Sequence, residues 1–220
     1  YQTEKIDRPL LSEEVISGRV IKTKKGKYGS TVWMLKNGIR VVVLPTTDTP
    51  YQIVMSGQAS GGLSMIPTED YYSVSMLAQV VSASGVGDFT AEQLRKVLGS
   101  KVVNIQPTIN RFSTDINGSA AKGDVETMLQ LTYLYFTRPN FDRGRLDMVI
   151  EANRKNLENS VNSPDFVMTQ MVNKITYGDQ QRTRIPDEQI LAGIDCGKIS
   201  SWYRNLFTDA AGNYTFYFVG

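Results

Sequence analysis

The chain has 220 residues and a formal net charge of +2. That length supports one domain with a substantial core, and the charge gives no strong basic field of the kind that favours nucleic acid. There is no histidine and one cysteine, Cys196. Histidine is the usual base near neutral pH, the usual partner of a serine or cysteine nucleophile and the commonest zinc ligand. A self-contained Ser-His-Asp triad, Cys-His dyad or His-ligated zinc site is therefore excluded. Cys196 cannot form an internal disulfide and reads as a small half-buried residue at a helix start. No apolar run is long enough to span a bilayer. Both ends read as cut, which predicts a piece of a longer protein.

Residues 1–28 are polar, with Lys22, Lys24, Lys25 and Lys27 close together, and read as an arm or linker with a solvated basic cluster. A single α+β domain is expected over residues 29–220. It opens with a hairpin, Thr31–Leu35 and Ile39–Leu44, whose Asn37-Gly38 pair supplies the positive φ angles of a tight turn. A third strand, Tyr51–Ala59, ends in the Ser60-Gly61-Gly62 turn. Apolar residues at Val74, Leu77, Val80 and Val81 predict a helix over Asp70–Ser84. Thr90 and Gln93 form a capping-box pattern opening a second helix through Leu98. Two strands follow, Lys101–Asn110 and Arg111–Ser119. Pro107 marks the first as an edge or a bulge, because proline cannot donate to a ladder.

Helices are predicted over Lys122–Thr137 and Arg143–Ser160, the latter with Glu151–Lys155 and Arg154–Glu158 as i,i+4 pairs on its wet face. Another runs from Pro164 to Tyr177. Gly178–Ile185 reads as a polar loop containing Arg182 and Arg184. Short helices near Asp187–Gly193 and Lys198–Thr208 lead to a last strand, Tyr214–Val219, which must return to the early sheet because a lone strand is unstable.

This order, with several local segments, resembles one repeat unit of the M16 (insulinase-like, pitrilysin-like) zinc metallopeptidases. Leu35-Lys36-Asn37-Gly38-Ile39-Arg40-Val41 is similar to the family's opening hairpin. Ser84-Gly85-Val86-Gly87-Asp88-Phe89-Thr90 is similar to its link into the second helix. Leu129-Gln130-Leu131 followed by Phe136-Thr137-Arg138-Pro139 resembles a helix of bacterial members, and Phe216–Gly220 the final strand. The resemblance implies an α+β fold with a mostly antiparallel sheet and helices on one side, of the LuxS/mitochondrial-processing-peptidase-like metallohydrolase class.

Active members carry H-x-x-E-H on the first long helix. Aligned back from Phe89, the motif falls on Met76-Leu77-Ala78-Gln79-Val80, with Met76 and Val80 at the histidine positions and Gln79 at the base. The distal glutamate falls on Glu151 or Glu158, each read as a solvent-facing charge. The resemblance thus implies a non-catalytic domain with no metal of its own, zinc being held by a catalytic half or partner. It further implies sister M16 domains in the same chain or a homologous subunit as partners, and an unfolded peptide as substrate. Peptide-strand addition would fall on Asn104, Ile105, Gln106 and Thr108, with Pro107 removing one donor. No nucleic-acid partner and no membrane span are expected; compartment stays open, the bacterial periplasm or cell envelope being one setting. Two other readings remain at this stage. One is an enzyme of unrelated chemistry using Cys196 or the Asp147/Glu151 carboxylates; the other is a stand-alone peptide-binding or scaffold protein.

Overall fold

The computed structural model describes residues 8–220. Among these residues seven strands form one sheet: β1 (Val20–Lys25), β2 (Thr31–Leu35), β3 (Arg40–Leu44), β4 (Gln52–Ser60), β5 (Val103–Ile109), β6 (Ser113–Ala121) and β7 (Thr215–Val219). Their order is β1-β2-β3-β7-β4-β6-β5. Only β3 and β7 run parallel; every other pair is antiparallel. The returning last strand therefore sits in the middle of the sheet rather than at an edge.

Among the described residues there are eight α-helices: α1 (Tyr71–Ser75), α2 (Leu77–Ser84), α3 (Ala91–Val97), α4 (Val125–Thr137), α5 (Arg143–Ser160), α6 (Pro164–Tyr177), α7 (Glu188–Ala192) and α8 (Cys196–Tyr203). Side chains alternate faces along a strand. On β4, Met55 and Ala59 are buried, while Gln52, Val54, Gln58 and Ser60 are exposed on the other face. Met55, Ile116, Ala120 and Phe216 join helix residues such as Val80, Leu131 and Leu134 in one core. Phe136 of α4 lies edge-on to Tyr214 at 4.9 Å, and Tyr203 stacks on Phe207 at 4.4 Å, which pins α4 and the α8 region to the start of β7. This is the mixed α+β class expected, with helices on one face.

The helix starts are chemically explicit. Thr90 and Gln93 form both bonds of the capping box. The side chains of Asp142, Ser163, Asp187 and Asp195 accept from backbone N–H groups at the starts of α5, α6, α7 and α8. Each satisfies a donor that a helix end leaves unpaired.

Three expectations need correcting. Residues 20–25, read as part of an arm, form strand β1 against β2; residues 1–7 of that arm lie outside the described residues. The lysine-rich composition hid the strand because an edge strand buries none of its side chains. At the hairpin, Gly38 alone has positive φ (+93°); Asn37 does not. Gly38 N donates to Leu35 O (3.0 Å) and Leu35 N to Ile39 O (2.8 Å), a three-residue connection with a glycine bulge rather than a two-residue turn. The helix predicted over Asp70–Ser84 is broken at Met76 (ψ −1°) into α1 and α2.

Candidate functional site

The sequence directs attention to α2 and its neighbour α5. Met76 is 6 % exposed and Val80 0 %, both within the main core. Gln79 points the other way, to the surface, where its Oε1 accepts from Asn153 Nδ2 of α5 at 3.3 Å. Asn153 Nδ2 also donates to Val149 O at 2.8 Å. The corner between the helices is thus built from a thioether, an aliphatic side chain and two carboxamides. Val80 has no lone pair and a thioether is a soft, weak donor for zinc, whose protein ligands are thiolate, imidazole and carboxylate. A carboxamide is neutral and cannot take a proton from water. These residues do not fit zinc. Among the described residues no cluster of three histidine, cysteine, aspartate or glutamate side chains has metal-holding geometry.

The two glutamates considered for the distal position behave as surface charges. Glu151 meets Arg154 at 2.6 Å and Lys155 at 3.9 Å. Arg154 does not pair with Glu158 as its spacing suggested. It makes a two-pronged contact with Glu188 of α7, both N···O distances being 2.8 Å. That contact holds the Glu188 carboxyl below its ordinary pKa. Asp147 and Glu151 line a shallow groove together with Arg143, Arg154 and Lys155, so cations accompany both carboxylates. Cys196 is half-buried at the first position of α8. Burial, and then the adjacent Asp195 carboxylate, push its thiol above the ordinary value, opposite to what a nucleophile needs.

The predicted substrate strand is β5, last in the sheet order and so an edge. Its backbone polarity follows from the ladder. Asn110 N donates to Ser113 O (2.8 Å) and Ala121 N to Val102 O (2.9 Å). Hydrogen-bonded pairs alternate in an antiparallel ladder. Asn104, Gln106 and Thr108 therefore turn their backbone groups to β6, whereas Val103, Ile105, Pro107 and Ile109 face the open edge. Of the four predicted residues, Ile105 alone presents backbone outward. Asn104 and Gln106 offer exposed side chains on the outer sheet face, and Thr108 is half-buried there. Pro107 leaves its β6 bonds intact and removes one donor from the middle of the free edge.

Three contacts had no signal in the sequence. Asn153, not Glu151, is the α5 residue that meets Gln79. Arg182 reaches Thr68 Oγ1 (3.2 Å) and the Ile66 carbonyl and lies over the Tyr71 ring at 5.2 Å, clamping the polar loop onto the start of α1. Tyr72 Oη donates to the carbonyl of Arg184 at 2.8 Å. All three join segments more than 70 residues apart, beyond the reach of local pattern.

The fold resembles that of M16 peptidase domains, and the α2–α5 corner offers no zinc ligands. No protein-family model matches the chain. It is 20 % identical over 188 residues to the probable zinc protease PqqL of Haemophilus influenzae, covering 84 % of the chain and 20 % of that protein. It is 23 % identical to a PQQL-like zinc protease of Arabidopsis thaliana over all of the chain and 21 % of the relative. The chain thus spans about a fifth of the length of these relatives. Among solved structures it resembles the periplasmic protease PqqL of Escherichia coli, with TM-score 0.84 and 19 % identity, covering 97 % of the chain and 23 % of that one. It also resembles a peptidase M16 inactive domain from Pseudomonas fluorescens, with TM-score 0.66 and 13 % identity, over 87 % of the chain and 46 % of the other.

Proposed function

We propose that this chain is the non-catalytic M16 domain of a zinc metallopeptidase, completing a closed chamber and contacting peptide substrate while another half or a homologous subunit holds the zinc. The observation that supports this reading best is the corner of α2 and α5. Where the resemblance puts the motif, Met76, Gln79, Val80 and Asn153 present thioether, aliphatic and amide groups. A periplasmic setting is inferred only from the periplasmic protease the fold resembles.

Two surfaces fit a domain built to meet others. α6 buries no side chain, and Met168, Met171, Val172 and Ile175 form an i, i+3, i+4, i+7 apolar stripe that remains exposed. We assign this stripe to packing against a sister M16 domain. The β5 edge is assigned to substrate backbone, with pairing limited to the flanks of Pro107.

Zinc analysis and a peptide-hydrolysis assay test the reading. The purified chain is expected to hold no zinc at stoichiometric level and to show no turnover. Addition of an H-x-x-E-H-bearing half should give cleavage that depends on this chain. Zinc bound at one equivalent, or turnover by the chain alone, would overturn it.

A further inference from the structure

Every charged residue between positions 15 and 47 is a lysine or arginine. None of them makes an ion pair among the described residues, whereas seven basic residues elsewhere do. The fold gathers part of this charge around one depression. A groove of about 650 Å³ lies on the sheet face away from the helices, with Lys24, Lys25, Lys27 and Arg40 on its walls. Register explains its floor. Lys24 stands opposite Val32, Val32 opposite Val42, and Val42 opposite Tyr217, so all four share the outer face. Leu44 and Val219, another registered pair, continue the apolar surface.

One wall is the loop between β1 and β2. Tyr28 there is 91 % exposed and has φ +57°, the left-handed region that side chains with a Cβ disfavour. The loop is closed around it by Gly26 N to Ser30 O (2.8 Å) and by Ser30 Oγ to Lys27 O (2.8 Å). An aromatic ring held out in a disfavoured conformation beside an apolar, cation-rimmed floor points to a ligand.

We propose that this groove binds an extended acidic segment of another protein, its carboxylates meeting the Lys24, Lys25, Lys27 and Arg40 rim and its aliphatic or aromatic side chains the Val42–Leu44–Tyr217–Val219 floor. Charge complementarity selects the sign of the partner. The mostly aliphatic floor and a net charge of only +2 favour a peptide over nucleic acid, even with the Tyr28 and Tyr217 rings present. The apolar side chains line a recess rather than a projecting wedge, which favours a peptide over a membrane surface. The groove lies at the far side of the sheet from the β5 edge and needs no zinc-bearing half, so it stands or falls separately from the chamber role.

Fluorescence anisotropy on the intact protein tests this, with a labelled peptide of about ten residues that alternates glutamate with leucine and phenylalanine. At about 3.3 Å per residue it spans several strands. The variant Lys24→Glu/Lys27→Glu/Arg40→Glu should weaken binding at least about tenfold, and Tyr217→Ser should weaken it at salt that screens the charges. Arg19→Glu/Lys36→Glu, which alters charge outside the groove, should change affinity by less than about twofold. If the triple variant fails to fold, Tyr28→Gly replaces it. That change relieves the loop and should weaken binding without lowering the melting temperature. Equal affinity for a lysine-for-glutamate peptide would overturn the proposal. So would equal loss in the Arg19/Lys36 variant, or tighter binding to an anionic vesicle or a single-stranded DNA oligonucleotide.

Discussion

Gly85 ends α2 with φ +87°, and a Cβ there would lie 2.2 Å from the Phe89 carbonyl oxygen. Backbone cannot yield as a side chain can, so Gly85→Ala combines a disfavoured dihedral with an unrelieved clash. A loss of about 3 kcal/mol is expected, measured by denaturant unfolding with an unchanged slope. Asp70 illustrates a different residue-level device. Its carboxylate accepts from Lys198 Nζ at 2.7 Å and Trp202 Nε1 at 2.8 Å, tying the start of α1 to α8. These bonds, Lys198 first, lower its pKa below 3.8. A depressed carboxyl stabilises the fold above its unfolded pKa, and that stabilisation disappears as pH falls through the folded value. Asp70→Asn should therefore cost on the order of 1 kcal/mol at neutral pH. Its stability should converge with the parent's as pH drops below about 4, as followed by thermal melts across pH.

At the scale of elements, the packing of α2 against α5 predicts that two histidines would not build a metal site. Val80 is fully buried, so Val80→His puts a polar ring into a packed apolar site with no partner. A cost of about 2–4 kcal/mol is expected in chemical denaturation. Met76→His/Gln79→Glu/Val80→His should still fail to gain stoichiometric zinc without a carboxylate at Asn153, a point metal analysis of the triple and quadruple variants would decide. Pro107 shapes β5 in a comparable way. Its nitrogen sits on the open edge, so Pro107→Val would complete a row of outward donors on an unprotected strand. Concentration-dependent self-association should rise, as read by sedimentation velocity.

Across the whole molecule, the helices cover one face of the sheet and leave the other open, while α6 stands on the surface with its apolar stripe uncovered. Substituting Met171 and Ile175 with aspartate should shift the chain's own stability by less than about 0.5 kcal/mol, since neither is buried in the domain. It should weaken assembly with a sister M16 domain, measured by co-elution.

The absence of histidine was legible from the sequence, and with it the loss of a His-based site, because composition alone removes those ligands. The helix start at Thr90 was legible too, since its capping box is local chemistry within three residues. Pro107 allowed either an edge or a bulge for β5, and the sheet order makes it the edge. The sequence could not tell that Val20–Lys25 is a strand, because an exposed edge carries no buried alternation and lysines mask it. It could not place Asn153 opposite Gln79, or Arg182 under the α1 start, because those contacts are made by helices and loops far apart in the chain. Nor could it decide that Lys24, Val32, Val42 and Tyr217 share one face. Residue type is written along the chain, but pairing register is set by which strands become neighbours, and only the tertiary structure turns a run of lysines into the rim of a groove.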